Sequence, residues 1–211
     1  MKLFTPLLLS LVLAAPANAA FSDSSRIDNP YLPLGKFHRC TYRGEEDGAR
    51  QLIKRTVLDR TRTFVVDGVP VEAMVVKDRV REEGEVIEDT RDFFAQDDRG
   101  AVRYFGERVR DIRNGRVVGH GGSWLFGRDT EHIGVLMPAH PGRGHRWLSE
   151  NAPPITVEHD RVVAKRGRQI TVREFALPDR EVEHKVYERG VGVVAELPPE
   201  GEVDLVGCDR A

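Results

Sequence analysis

The chain of 211 residues carries 32 basic and 34 acidic side chains, with the two signs interspersed along its length. That balance excludes a nucleic-acid binder that works through a basic excess. No apolar run after Ala15 is long enough for a membrane-spanning helix, which needs about 20 residues.

Residues 1–20, MKLFTPLLLSLVLAAPANAA, have the three parts of a secretory leader. Lys2 supplies the positive start, Leu3 to Ala15 the apolar run, and Ala17-Asn18-Ala19 the small-residue cleavage site. The predicted division is a signal peptide over 1–20 and a single β-rich domain over 21–211, periplasmic or secreted. No cysteine follows the leader closely, which argues against a lipid anchor. Cys40 and Cys208 form an even pair in what would be an oxidising compartment, so a disulfide tying the first strand to the last is expected.

Beyond the leader, Val, Ile, Thr and aromatics alternate with charged residues. Turn signals recur at Asp67-Gly68, Glu83-Gly84, Asp98-Arg99-Gly100 and Asn114-Gly115. This is the pattern of an antiparallel meander. Strands are expected near 38–44, 50–58, 61–66, 70–82, 85–96, 101–113, 116–126, 155–164, 169–177, 182–189, 191–197 and 202–208. The stretch 127–154, rich in Pro and Gly, reads as one long ordered loop with a helical turn around Thr130 to Ile133. The fold class is therefore all-β, a curved antiparallel sheet or open β-barrel built from hairpins.

DFFAQDDRGAVRYFGE, Asp92 to Glu107, is the stretch richest in aromatics and carboxylates together. A four-residue loop over Asp97 to Gly100 sets Phe93 opposite Tyr104 and Ala95 opposite Val102. The Glu83-Gly84 turn sets Met74 opposite Phe93 and Val80 opposite Ile87. The Asn114-Gly115 turn sets Val109 opposite His120 and Phe105 opposite Trp124. Alternation then gathers Asp92, Phe94, Arg103, Phe105, Glu107, His120, Trp124 and Phe126 on one face. Aromatic walls with a few convergent polar groups suit a small-ligand pocket. In it Trp124 and Phe105 would stack, Arg103 would hold an anion or carboxylate, and Glu107 and His120 would set orientation. The competing reading is cross-strand packing around an Asp92–Arg103 ion pair. A bulge, for which Gly119, Gly121 and Gly122 offer places, would move part of this set to the other face.

Other motifs carry less. GHGGSW, Gly119 to Trp124, resembles an oxyanion turn, but the chain has no G-x-S-x-G nucleophile elbow to use it. The seven histidines lack metal-motif spacing, so neither a metal nor another cofactor is expected. Asp78 and Asp89 should face each other, bridged by an arginine such as Arg91 or by a hard cation. Asp92 and Glu107 are a candidate carboxylate pair, as many pairs are in so charged a chain. EVEHKVYERGVGVVAEL reads as a hairpin around Arg189-Gly190 that pairs with the final strand, with Gly192 at a close approach or positive φ.

NPYLPL (Asn29 to Leu34), DTRDFFAQDDRGAVRYFGE (Asp89 to Glu107), MPAHP (Met137 to Pro141) and YERGVGVVAE (Tyr187 to Glu196) stand in an order that resembles a family of uncharacterised exported bacterial β-rich proteins. The resemblance spans nearly the whole mature chain and implies a β fold and export. No activity or catalytic residue is known for that family, so none carries over. Tryptophan often stands in it where this chain has Phe93 or Arg103.

The expected function is an exported envelope protein that binds a small or lipidic ligand on the aromatic-polar face. Two alternatives stand beside it. One is a hydrolase or lyase using His120 with Glu107 or Asp92; the other is a ligand-free structural or interaction module. Nucleic acid is not an expected partner.

Overall fold

The structure, a computed structural model, describes residues 20–210; the leader expected over 1–20 lies outside them apart from its last residue. A 3-10 turn, Leu34–Lys36, precedes fifteen strands. These are β1 (Phe37–Glu46), β2 (Ala49–Val66), β3 (Val69–Glu82), β4 (Glu85–Gln96), β5 (Val102–Arg108), β6 (Asp111–Arg113), β7 (Arg116–Gly119), β8 (Trp124–Leu125), β9 (Gly134–Met137), β10 (Arg146–Ala152), β11 (Thr156–Arg166), β12 (Gln169–Leu177), β13 (Glu181–Glu188), β14 (Gly192–Leu197) and β15 (Gly201–Arg210). They make one antiparallel meander sheet in a single all-β domain. Its main path runs β10-β11-β12-β13-β14-β15-β1-β2-β3-β4-β5-β8, with β9 also on β5, and β6 linking β4 to β7. Among the described residues no ladder joins the two ends, so the hydrogen-bonded order is open and not a closed barrel. No helix among them is long and apolar enough to cross a membrane.

The turn chemistry sets most of this order. Asp67-Gly68, Glu83-Gly84 and Asn114-Gly115 all have positive φ at both residues. That is the mirror-image turn whose twist matches the flanking strands, and it fits a two-residue hairpin loop. Gly192 has φ 107°, and β14 pairs with the final strand through Ala195↔Asp204 and Glu196↔Val203, as the sequence pattern implies.

Three boundaries differ from expectation. The stretches 50–58 and 61–66 are one strand, β2, whose pairing with β3 slips between Val57 and Thr61. The segments 101–113 and 116–126 each break in two. And 127–154 is not one loop: it contributes β9 and β10, with no helical turn at Thr130–Ile133. Short strands flanked by Pro and Gly carry too few alternations to announce themselves.

Both faces of the sheet are covered where β3, β4 and β5 meet. One cluster joins Tyr42, Ile53, Val76, Phe94, Tyr104, Trp124, Val172 and Tyr187 with Ile27 and Tyr31 of the N-terminal segment. The other, on the reverse face, joins Phe64, Val71, Ala73, Val75, Phe93, Phe105 and Leu125, with Phe21 and Phe126 packed on it. Double coverage explains why Ala73, Met74, Val75 and Val76 are buried in unbroken succession, where a half-exposed strand would alternate. Cys40 and Cys208 face each other across β1 and β15 and form the expected disulfide.

Gly106 is the position on which the site depends. Its φ is 111°, and an added Cβ would stand 2.2 Å from the Trp124 carbonyl oxygen and 2.9 Å from the Leu125 Cα. Both atoms are backbone, so nothing nearby gives way cheaply. Gly106→Ala is expected to destabilise the protein by about 3 kcal/mol or more. Urea unfolding checks this; an unchanged midpoint would contradict the close approach.

Candidate functional site

The pairing of β4 with β5 corrects the sequence register by one residue. Phe94 lies opposite Tyr104, Ala95 opposite Arg103 and Gln96 opposite Val102. The connecting loop is one residue longer than expected, because Asp97 folds it around its own carboxylate. Asp97 Oδ1 accepts from the Arg99 and Ala101 amides at 3.0 and 2.9 Å. That residue turns Arg103 and Phe105 away from the expected face. Arg103 pairs with buried Asp97 at 2.7 Å, not with Asp92, and Phe105 belongs to the reverse cluster. A bulge then intervenes: the register shifts between Asp92 and Phe94 so that Asp92 pairs with Glu107. The extra residue, at Phe105-Gly106, returns Glu107 to the side of Tyr104.

Trp124 lies opposite Glu107, not Phe105, and stacks edge-on against Tyr104 at 5.3 Å. On β3 and β4, Met74 meets Phe94 and Val80 meets Glu88. Of the seven predicted residues, Asp92, Phe94, Glu107 and Trp124 thus share a face. His120 is exposed beside that hairpin, its Nδ1 2.7 Å from the Val109 carbonyl oxygen. Phe126 packs against the reverse cluster.

Asp92, Phe94, Tyr104 and Glu107 line a cavity of about 240 Å³. Its other walls come from both halves of the strand order: Arg55 on β2, Asp78 on β3, Glu88 and Thr90 on β4, Glu150 on β10, Glu158 on β11, Glu174 on β12, and Lys185 and Tyr187 on β13. Leu32 and Leu34 of the NPYLPL segment line it as well. Asn29 anchors that segment, donating to the Gly100 carbonyl at 2.7 Å while its Oδ1 accepts from the Tyr31 amide at 2.9 Å.

The two cations of this cavity are already engaged. Arg55 reaches Asp78 at 2.6 Å and Glu196 at 3.5 Å; Lys185 reaches Glu174 at 2.7 Å and Glu183 at 3.5 Å. Glu88, Asp92, Glu107, Glu150 and Glu158 have no cation within ion-pair distance among the described residues. Asp92 accepts from the Tyr104 hydroxyl at 2.7 Å, Glu88 from Thr90 at 2.8 Å, Glu150 from Thr156 at 2.5 Å and Glu158 from Ser149 at 2.6 Å. The Trp124 indole N–H has no partner of good geometry, although it bears on the Glu150 carboxyl.

No protein-family model, curated protein or solved structure matches this chain. Its chemistry therefore has to be read from the cavity.

Burial, with the charge of Asp78 added, pushes Asp92 up to about 7. Burial raises Glu174 to about 7 against the pull of Lys185, and burial with Glu174 and Glu158 raises Asp160 to about 9. Burial, then Asp92 and Glu150, holds Glu107 well above the usual carboxylate range. Such groups are protonated in the folded protein at a pH where the unfolded chain has released the proton. The folded state therefore binds more protons between about pH 4 and pH 9, and stability falls as pH rises through that window. Groups held low, such as Asp89 and Glu83, are ionised in both states there and add no slope. The melting temperature is expected to be at least about 4 °C higher at pH 5.5 than at pH 8.5. Calorimetry at both values checks this; equal temperatures would mean that the carboxyls are solvated.

Asp78 and Asp89 do not face each other. Asp78 lies opposite Thr90, and Asp89 lies opposite Arg79, its own cation. Each aspartate is paired separately, and Arg91 bridges neither. Among the described residues, no three His, Cys, Asp or Glu side chains are placed to hold a metal ion.

The sequence reading did not single out Arg55, Tyr104, Glu150, Glu158, Glu174, Lys185 or Tyr187. The signal was present in β13, where Glu183, Lys185 and Tyr187 share one parity while Val182 and Val186 take the other. In a strand packed on one side only, the valines would be the buried set. Here Tyr187 is 3% exposed.

Proposed function

We propose that this chain is an exported binding protein that holds a small polar ligand in the interior cavity. The observation that carries this reading is the convergence of Glu88, Asp92, Glu107, Glu150 and Glu158, none with a cation partner, on one cavity of about 240 Å³. Half-buried carboxyls such as these cost stability when no counter-charge meets them. A scaffold that gathers five of them gives up folding free energy for a purpose other than folding. The volume equals about eight water molecules and lies below the range for drug-sized ligands, which favours a small polar molecule over a lipid. Export is supported by the leader sequence and agrees with the Cys40–Cys208 bridge. The resemblance to exported β-rich proteins points the same way and brings no activity with it.

Native mass spectrometry of protein isolated from its own periplasm tests the proposal. The expected spectrum shows a bound mass that leaves on denaturation. A spectrum of bare protein, with no small polar compound raising the melting temperature, would overturn it.

A further inference from the structure

Resting on that binding reading, we propose that the cavity is a site for a short aliphatic diamine, with one ammonium group held by the carboxyls of β4 and β5 and the other by those of β10 and β11. An acidic cluster alone would not carry this. The second observation is Tyr187, which lines the cavity, is 3% exposed, and has a hydroxyl with no hydrogen-bond partner among the described residues. A hydroxyl without a partner, on a side chain otherwise buried in a cavity wall, is set up to meet an incoming polar group.

The ligand class follows from what the walls lack. Arg55 and Lys185 are each held between two carboxylates, so an anion would find no free positive charge. The hydroxyls of Thr90, Tyr104, Thr156 and Ser149 are already directed at carboxyls, which leaves that of Tyr187 open. The surplus is in carboxyl groups, which accept hydrogen bonds and become negative once an ammonium displaces their protons. An ammonium group brings three donors and one positive charge, which complements both. The acids come from two separate parts of the strand order, Glu88, Asp92 and Glu107 from β4 and β5 and Glu150 and Glu158 from β10 and β11, which suits a ligand with a cation at each end. Phe94 and Tyr104, whose rings lie 4.9 Å apart, add aromatic faces suited to an alkylammonium. The absence of a preformed three-ligand set among the described residues disfavours a bare metal ion.

Binding converts protonated carboxyls to carboxylates, and the protons leave to solvent. Glu174, Arg55 and Lys185 line the same space, and Asp160, Glu183, Glu196 and Tyr42 act on them electrostatically and share the resulting field. Affinity for a diamine should therefore rise as pH increases from 6 to 8.

Calorimetric titration with 1,4-diaminobutane, 1,4-butanediol and magnesium chloride tests the class. The diamine is expected to bind and release protons, seen as a buffer-dependent heat, while the diol and magnesium do not bind. Tyr187→Phe and Glu107→Gln, both checked for folding by circular dichroism, are expected to weaken diamine binding about tenfold or more. Equal binding of diol and diamine would overturn the amine assignment but leave a polar-ligand cavity standing. Diamine binding unaffected by either variant would overturn it by moving the site elsewhere. No diamine binding by protein that retains another compound in native mass spectrometry would overturn the class alone. No diamine binding and no retained compound would overturn both readings.

Discussion

Replacing both cysteines, Cys40→Ser with Cys208→Ser, is expected to lower the melting temperature by about 10–20 °C. The bridge closes a loop of 168 residues, for which the chain-entropy model gives up to about 5 kcal/mol of lost freedom in the unfolded state. In a domain of this size each kcal/mol corresponds to about 2–4 °C. The native state should change little, because the β1–β15 ladder runs from Phe37↔Arg210 to Glu46↔Gly201 with or without the sulfurs. The stabilisation thus acts mainly by restricting the unfolded chain. Calorimetry of the oxidised protein beside the double variant measures it, and matching transitions would mean that the ladder alone fixes the terminal strands.

Asp89→Ala is expected to cost about 3 kcal/mol. The carboxylate is 1% exposed and sits among Lys77 at 2.9 Å, Arg79 at 2.7 Å and Arg110 at 2.5 Å. Burial alone would raise its pKa; hydrogen bonds from Arg110, Arg79 and Lys77 outweigh that and hold it well below the usual range. Removing it leaves three cations facing one another with no counter-charge. Arg79 and Arg110 are about two-fifths exposed, so solvent screens part of the repulsion and the cost stays at the low end for a broken buried pair. Urea unfolding of the variant at pH 7 gives the number. A loss under about 0.5 kcal/mol would mean that the cluster contributes no more than an ordinary surface pair.

The fold was legible wherever a turn announced itself. Asp67-Gly68, Glu83-Gly84 and Asn114-Gly115 each fixed a hairpin, and the cysteine count fixed the contact between first and last strands. The site was legible only in part, because face membership depends on single-residue details that alternation does not encode. Asp97 lengthens one loop through its own side-chain hydrogen bonds, and that moved Arg103 and Phe105 to the reverse face. Gly106 adds a bulge that compensates for Glu107 and for nothing before it. The flagged Gly119 does stand at a pairing irregularity, where Asp111 meets Gly119 and Ile112 meets Val117, but the bulge that returned Glu107 to the face of Tyr104 stood inside the YFGE run. The carboxyls of β10 to β12 were hidden for a different reason. They meet Asp92 and Glu107 only through strand order across the whole sheet, and local pairing rules do not reach that far.

The central claim is that cavity carboxyls such as Asp92 and Glu174 keep their protons toward neutral pH because burial disfavours the charged form, at Glu174 even against Lys185. Carboxyl carbon-13 NMR of the folded protein from pH 3 to pH 9 tests it most directly. The account predicts that Asp92 and Glu174 change shift with midpoints near 7, while Glu83 on the exposed β3–β4 turn has already ionised by about 2. Midpoints near 4 for Asp92 and Glu174 would show ordinary solvated acids. The case for a cation-seeking cavity would then be gone.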